Sequence, residues 1–406
     1  MKKCKLSEIS TILNGYAFKS TKYVDNGIRI IRIANVQDGE IVDENPCFYP
    51  YETTDNIDKY KLFEGDLLIS LTGNVGRVGV LPKSMMPAAL NQRVCCLRIN
   101  KEKVNLKYLF YYLRQYNFIQ DCIKASKGVA QLNLSTKWLA EYEILLPELS
   151  EQQRIVERIE ELFSQLDSAV ETLKKTKQQL AIYRQAVLKE AFEGTLTNCK
   201  SKALTPIGMY IYKPRYGTSK KCDYNVAVNS TPVYRIPNIN HAEGRICHKD
   251  IKYATFNDSE LVDLKLEIDD ILIIRSNGSV SLVGKAAIIK DVDIGGTFAG
   301  YLMRLRINKK SMLLPAYLLY YLQSYNARTY IENAAKSTSG VHNINSTEIS
   351  ALKIPIFDLI EQQHIVLAIE NRISVCDSIE KTVDTALQQA EAMRQSILKK
   401  AFEGSF

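Results

Sequence analysis

The sequence predicts an α+β protein built as a pseudo-two-fold internal repeat: two globular α/β domains separated by two long helices that pair with each other. Three observations predict it. The stretch E-Q-Q-R-I-V-E-R-I-E from Glu151 returns as E-Q-Q-H-I-V-L-A-I-E from Glu361, and A-F-E-G-T-L from Ala191 returns as A-F-E-G-S-F from Ala401, both at an offset of 210 residues. Short β-type runs with Gly-rich turns, each set followed by a tyrosine-rich helix, occupy the stretches before the two helical copies.

The first globular segment covers residues 1–147, with strands expected at 27–36, 65–70, 78–80 and 94–99 and a helix from 106 to about 124. A first spacer helix follows over 148–194. The second globular segment, 195–356, carries strands such as 270–274 and 286–289 and a helix from 315 to about 335, and a second spacer helix covers 357–406. Arg32-Ile33-Ala34-Asn35-Val36 matches Arg235-Ile236-Pro237-Asn238-Ile239, and Leu97-Arg98-Ile99-Asn100-Lys101 matches Leu305-Arg306-Ile307-Asn308-Lys309. Offsets in these regions run from 203 to 209, so they have changed length where the helices have not. That contrast suits variable reading heads on a fixed ruler.

In the first spacer, Ile155, Ile159, Leu162, Leu166, Ala169, Leu173, Thr176, Leu180, Tyr183 and Val187 step by four and three, and nine of the ten are apolar. The duplicate runs Ile365, Ile369, Arg372, Cys376, Ile379, Val383, Ala386, Ala390, Met393, Ile397, again nine of ten. Neither run contains Pro or an internal Gly. These are coiled-coil seams, and the helix-pair interface is expected at Ile155, Ile159, Leu162, Leu166, Leu173, Leu180, Ile365, Ile369, Ile379, Val383, Met393 and Ile397. Pro147 and Pro355 mark the starts and Gly194 and Gly404 the stops. A helix of about 40 residues is roughly 60 Å long, more than a small domain needs, so its natural partner is its own copy.

Net charge is +8 overall, but residues 1–146 carry +5, 147–194 carry −2, 195–354 carry +8 and 355–406 carry −3. Two basic globules and two acidic helices indicate that the globules meet a polyanion and the helices do not. Nine cysteines without a C-x-x-C pair read as thiols of a reducing compartment, and no run has the length of a membrane span or signal peptide, so a cytoplasmic protein with no membrane partner is expected. His241, Cys247 and His248 lack zinc spacing, so no metal site is expected. Asn45-Pro46-Cys47-Phe48 misses the second proline of a methyltransferase N-P-P-Y/F motif. The run from Gly278 to Ala286 has one residue too many between its glycines for a phosphate loop, and Ala where a hydroxyl belongs. No catalytic residue is assigned.

Polar loops at matched places are the candidate DNA contacts, because Asn and Gln pair with adenine and Arg with guanine. In the first copy they are Lys19, Lys22, Arg32, Asn35, Thr72, Gly73, Asn74, Arg77, Asn91, Gln92, Arg93, Lys127, Gln131 and Asn133. In the second they are Arg215, Tyr216, Arg235, Asn238, Arg275, Ser276, Asn277, Lys285, Asn343 and Asn345.

The order of basic domain, E-Q-Q-R-I-V helix ending A-F-E-G, second basic domain and E-Q-Q-H-I-V helix resembles the specificity subunits of bacterial type I restriction-modification systems. Gly15-Tyr16-Ala17-Phe18-Lys19-Ser20, Gly65-Asp66-Leu67-Leu68-Ile69-Ser70, Asn91-Gln92-Arg93-Val94 and Val129-Ala130-Gln131-Leu132-Asn133-Leu134-Ser135 carry the same resemblance. In the second half the opening motif is replaced by Lys213-Pro214-Arg215-Tyr216-Gly217, and Gln92-Arg93 by Ala299-Gly300-Tyr301, so the half-sites should differ. The resemblance implies a non-catalytic subunit whose two target recognition domains read a bipartite, asymmetric duplex DNA sequence, and whose spacer helices pair as an antiparallel coiled coil. It implies as partners two modification subunits that methylate adenine, and restriction subunits. It implies no cofactor in this chain, with S-adenosylmethionine, ATP and Mg in the partner subunits. A nucleic-acid-binding scaffold without restriction-modification activity is the alternative. The purified chain alone should neither transfer a labelled methyl group to DNA nor release phosphate from ATP; turnover in either assay would refute the non-catalytic reading.

Overall fold

The computed structural model describes residues 2–128, 131–197, 203–226, 229–308, 312–338 and 340–404. Val129, Ala130, Lys309, Ser405 and Phe406 of the sequence motifs lie outside the described residues. The chain forms two compact units, one from Met1–Lys174 with Asp384–Phe406 and the other from Lys175–Val383. Each unit therefore combines one globular segment with pieces of both long helices, Leu149–Glu193 and Leu359–Phe402.

In the first unit, an antiparallel sheet has the strand order Ser10–Asn14, Val94–Ile99, Leu67–Ser70, Val78–Val80. Period-two alternation gives the two central strands two buried faces. Leu67, Ile69, Cys95 and Leu97 face the helices, while Leu68, Val94 and Cys96 pack with Ile31, Leu62, Ala88 and Leu90. The latter belong to a second sheet, ordered Phe48–Tyr49, Ile28–Ile31, Ala88–Leu90, Lys61–Leu62, whose central pair is parallel. The second unit repeats the scheme. Its first sheet is ordered Arg215–Tyr216, Leu302–Leu305, Ile271–Ile274, Ala286–Ile288, and its second Lys252–Thr255, Ser230–Tyr234, Thr297–Phe298. In each unit the first strand also pairs antiparallel with the strand before a long helix, Lys2–Lys5 with Glu143–Leu146 and Ala203–Pro206 with Lys353–Ile356.

The repeated motifs have physical explanations. Gln152 and Gln362, the first glutamines of the two E-Q-Q stretches, are fully buried. Gln152 accepts from Asn105 N (2.8 Å) and donates to the Pro147 and Lys103 carbonyls (2.8 and 3.2 Å). Gln362 accepts from Leu314 N (2.9 Å) and donates to the Met312 and Phe357 carbonyls (2.7 and 2.9 Å). Each amide thus fixes a long helix to the loop before the tyrosine helices. Those tyrosines reach back to the strand preceding the long helix, Tyr108 to the Leu145 carbonyl (2.7 Å) and Tyr317 to that of Pro355 (2.9 Å). Gly194 and Gly404 hold φ of 78° and 79°, the left-handed stop that a side chain would strain.

The phenylalanine of A-F-E-G closes the core built by the other repeat. Phe192 stands edge-on to Tyr317 and Tyr321 at 5.1 and 5.0 Å, and Phe402 to Tyr108 and Tyr112 at 5.3 and 5.0 Å. The tyrosine helices differ from expectation in being broken, into Leu106–Tyr112 and Tyr116–Ala125 in the first unit and Pro315–Gln323 and Tyr325–Ala334 in the second. Ser324 makes the second break by capping Ala327 N.

The helices run antiparallel. In the second unit Lys177 and Arg184 meet Glu380, Arg184 also meets Asp377, and Glu190 meets Arg372, so one index rises as the other falls. The seam is Val156, Ile159, Phe163, Leu166, Val170, Leu173, Leu180, Arg184, Val187 and Ala191, a heptad alternation in which exposed Lys177 reaches the partner helix through its ion pair with Glu380. Its duplicate, 210 residues on, contains Val366, Ile369, Ile373, Cys376, Glu380, Val383, Leu387, Ala390, Arg394, Ile397 and Ala401. Half of the expected seam is thereby displaced by one residue. Ile155 and Ile365 are buried against the globular cores, Leu162 is half-buried, and Ile379 and Met393 are exposed by 41% and 53%.

Arg184 spans Asp377 (2.6 Å) and Glu380 (2.7 Å), and holds the Glu380 carboxyl below the usual carboxylate range through its hydrogen bond. Its repeat-mate Arg394, in the first unit, pairs with Asp167 and lies 5.0 Å over the Phe163 ring. Leu166→Glu should place an unpaired charge in the seam and destabilise by roughly 3 kcal/mol or more, whereas Ile379→Glu should change stability by about 0.5 kcal/mol or less. Thermal unfolding of the two variants checks this, and equal losses would refute the seam assignment.

Candidate nucleic-acid interface

In the first unit four segments meet side by side through backbone bonds. Gln92 N donates to the Tyr16 carbonyl (3.0 Å), Leu71 N to that of Arg93 (3.0 Å), Gly73 N to that of Leu132 (3.0 Å), and Leu134 N to that of Leu71 (2.8 Å). Lys127 and Asn133 bond reciprocally at 3.0 and 2.9 Å, which ties Lys127 to the last segment. The Ser70 hydroxyl donates to the Asn74 carbonyl (2.5 Å) and accepts from Arg77 N (3.0 Å), which shapes the loop between strands. This leaves Asn74, Gln92, Arg93, Lys127, Gln131 and Asn133 exposed on a backbone whose hydrogen bonds are already used. Arg93 and Lys127 form no ion pair among the described residues. Exposed amides and unneutralised cations on a rigid frame are suited to base edges and phosphates.

The second unit builds the same row from different side chains. Gly300 N donates to the Thr218 carbonyl (2.7 Å), Arg275 N to that of Tyr301 (2.9 Å), and Ile344 N to that of Arg275 (2.9 Å). Ser276 and Asn277 pair with Asn343 and His342. Gly15 and Gly217 open the two rows for one reason: a Cβ would lie 2.1 Å from the Asn91 carbonyl oxygen in one and 2.3 Å from the Ala299 oxygen in the other. The opening motif is therefore retained in the second half as Gly217-Thr218, a register hidden by different residues around a shared glycine. Arg275 stacks 4.4 Å over Tyr216 and donates to the Gly300 carbonyl (3.1 Å), while the Tyr216 hydroxyl accepts from Ser346 N (2.9 Å). Tyr301, 63% exposed, stands where the first unit has Arg93.

Several expected contacts are otherwise employed. Asn35 and Asn238 are 4% and 0% exposed. Asn35 Oδ1 accepts from Arg32 N (2.9 Å) and Nδ2 donates to the Val42 carbonyl (2.9 Å); Asn238 does the same with Arg235 N (2.9 Å) and the Cys247 and Lys249 carbonyls (3.0 and 2.9 Å). Their recurrence reflects a shared turn and corrects the expectation that they read bases. Arg32 binds the Asn45 carbonyl (2.7 Å) and Arg235 binds Asp250 (2.8 Å), so both brace the same turns. Ser276 is buried, and Asn345 caps the helix Ser346–Ser350, accepting from Thr347 N and Glu348 N at 2.9 Å. Arg215 pairs with Asp263, Lys22 with Asp55 (2.7 Å), and Arg77 donates to Gln37 (2.8 Å).

The remaining candidates are intermediate. Thr72 and Asn91 are half-buried within the first row, Asn343 is half-buried in the second, and Lys19 is exposed away from the backbone-bonded row. Lys285 is half-buried, and burial together with Arg328 depresses its ammonium pKa. Tyr16, Thr218 and Tyr301 were absent from the expected set. A glycine pinned under a carbonyl, as at Gly15, was the signal available for the first two. Asn238→Ala, which removes a fully buried amide from three part-buried hydrogen bonds, should cost roughly 1–3 kcal/mol and lower the melting temperature while leaving the recognised sequence unchanged; altered methylation specificity in a normally stable variant would return Asn238 to the interface.

A family profile described as "Type I restriction modification DNA specificity domain" matches residues 1–181 and 204–389. The StySPI specificity subunit of Salmonella potsdam is 29% identical over 98% of this chain and 88% of its own length. The EcoKI specificity subunit of Escherichia coli K12 is 26% identical over the same shares. In fold, the chain is similar to a chain solved in work on complex assembly and conformational transition of the type I R-M system, with a TM-score of 0.74 at 18% identity, covering 99% of this chain and 97% of that one. It is also similar to the HsdS subunit from Thermoanaerobacter tengcongensis, with a TM-score of 0.56 at 17% identity over 100% and 97% of the chains.

Proposed function

Because the chain belongs to the family of type I restriction modification DNA specificity domains, we propose that it is the DNA-recognition subunit of a type I restriction-modification complex and reads a bipartite, asymmetric sequence. The observation that carries the bipartite reading is the pair of loop rows, alike in backbone and unlike in side chains. Gln92 and Arg93 in the first correspond to Gly300 and Tyr301 in the second. A shared frame with different exposed groups suits two half-sites of different sequence.

The chain contributes recognition and leaves chemistry to its partners. Two methyltransferase subunits dock on the long helices and supply the S-adenosylmethionine site, and restriction subunits supply ATP- and Mg-dependent cleavage. The exposed polar faces of the helices and the two-fold repetition of their sequence support a partner taken in two copies. Arg93 and Lys127 serve the first half-site, and Arg275 with its stacked Tyr216 serves the second. No described helix is long and apolar enough to cross a membrane.

Long-read methylome sequencing of a methylation-free host expressing this chain with its modification subunit tests the proposal. New N6-methyladenine confined to one split, asymmetric motif, and absent when this chain is omitted, is expected. Unchanged methylation by a demonstrably assembled complex would overturn it.

A further inference from the structure

The second unit has a pocket of about 470 Å³ beside its loop row, lined among others by Thr218, Lys220, Arg235, Lys252, Gly300 and Tyr301. Three of the lining residues are basic and none is acidic. Their free charge is unequal. Lys220 is bound to Glu260 (2.6 Å) and the Thr255 carbonyl (3.1 Å), and Arg235 directs one terminal nitrogen to Asp250 (2.8 Å). Arg235 Nε is buried without a hydrogen-bond partner among the described residues. Lys252 forms no ion pair among them, and its ammonium lies 4.7 Å over the Tyr224 ring. Ile236, Pro237 and the exposed Tyr301 ring supply the apolar wall.

The first unit keeps Arg32 at the place of Arg235, its Nε likewise buried without a partner among the described residues, but lacks the two lysines. Matching the rows at Gly15 and Gly217 sets Tyr16 opposite Thr218 and Phe18 opposite Lys220. Tyr16 packs on Phe18 and Tyr60 at 5.0 and 5.3 Å, and Phe18 on Tyr49 at 4.9 Å. Lys252 pairs in register with Val233, while the residue bonded at the equivalent Ile30 is Cys47. Beside the shared arginine, Phe18 and Cys47 in one unit thus stand where the other has Lys220 and Lys252. The pocket is continuous with the proposed reading surface, because Arg275 donates to the carbonyl of its rim residue Gly300 (3.1 Å).

We propose that this pocket takes one backbone phosphate of the duplex at the second half-site, with Lys252 as its cation and the adjoining deoxyribose against Tyr301 and Pro237. The assignment rests on the reading of the chain as a DNA-recognition subunit. It makes the second half-site contact more salt-sensitive than a base contact alone would be, since each neutralised phosphate contributes about 0.9 to the slope of log affinity against log salt.

The test uses complexes of the full chain with its methyltransferase partners and a duplex carrying the recognised motif, titrated across a range of salt. Lys252→Ala should lower the slope by about one phosphate, Lys252→Arg should restore it, and Cys47→Ala in the first unit should leave it unchanged. A wild-type slope for Lys252→Ala would overturn the proposal while leaving DNA recognition standing; failure of the wild-type complex to bind the duplex would overturn the recognition reading and the pocket with it. Saturable binding of a deoxynucleoside monophosphate without duplex, lost in Lys252→Ala, would reassign the pocket to a free nucleotide and also overturn the duplex assignment.

Discussion

The antiparallel seam between two copies of one helix is the constraint on which the rest of the structure depends. The same contact occurs in each unit, and the polar pairs show it: Arg184 with Asp377 in one unit, Arg394 with Asp167 in the other. A parallel, in-register pairing would instead bring Arg184 against Arg394 and Asp167 against Asp377. Like charges would then meet near the seam, so these pairs select the observed direction as well as supporting it. The second unit adds Glu380 where the first has Val170, and the first adds the Phe163 ring beneath Arg394. The symmetry is one of position rather than of identical chemistry.

From that seam the two units inherit their composite cores. Val156, Ile159 and Phe163 share a core with Leu398, Ala401 and Phe402, and Val187, Leu188 and Phe192 share one with Val366 and Ile369. The buried glutamines then set where each helix leaves its domain, and the sheets carry the loop rows. Identity between the two repeats is concentrated at the helix ends, in the glutamine anchors and the closing phenylalanines. Variation falls on side chains whose backbones are already satisfied, which allows recognition residues to change without leaving buried polar groups exposed or unpaired.

Much of this was legible in the chain, and the failures are instructive. The alternate seam positions Ile159, Leu166, Leu173, Leu180 and Val187 followed directly from the period. The intervening ones differ because half-buried Arg184 faces the partner helix, while apolar Tyr183 one residue away is exposed. Hydropathy alone rejects a polar residue whose partner is 200 residues distant. The recurrence of Arg-x-x-Asn suggested function, but Asn35 and Asn238 are repeated because a buried turn needs their amides. The correspondence of Gly217-Thr218 with Gly15-Tyr16 was hidden because the second unit replaces aromatic packing with a polar pocket, and the chain offset drifts between landmarks. Helix direction could not be read from either seam separately, since both directions bury the same apolar stripe.

The division of the chain between the units also orders events in time. Lys175–Val383 is continuous, whereas the first unit needs Asp384–Phe406 to complete it. Leu398, Ala401 and Phe402 seal the core against Tyr108 and Tyr112. On a ribosome the N-terminal globule is made first and finished last, its aromatic floor open until the final turns of the second helix emerge. Domains made in sequence ordinarily fold in sequence; here the unit begun first is the last to have all its residues, and a prematurely terminated chain leaves its oldest part unsealed.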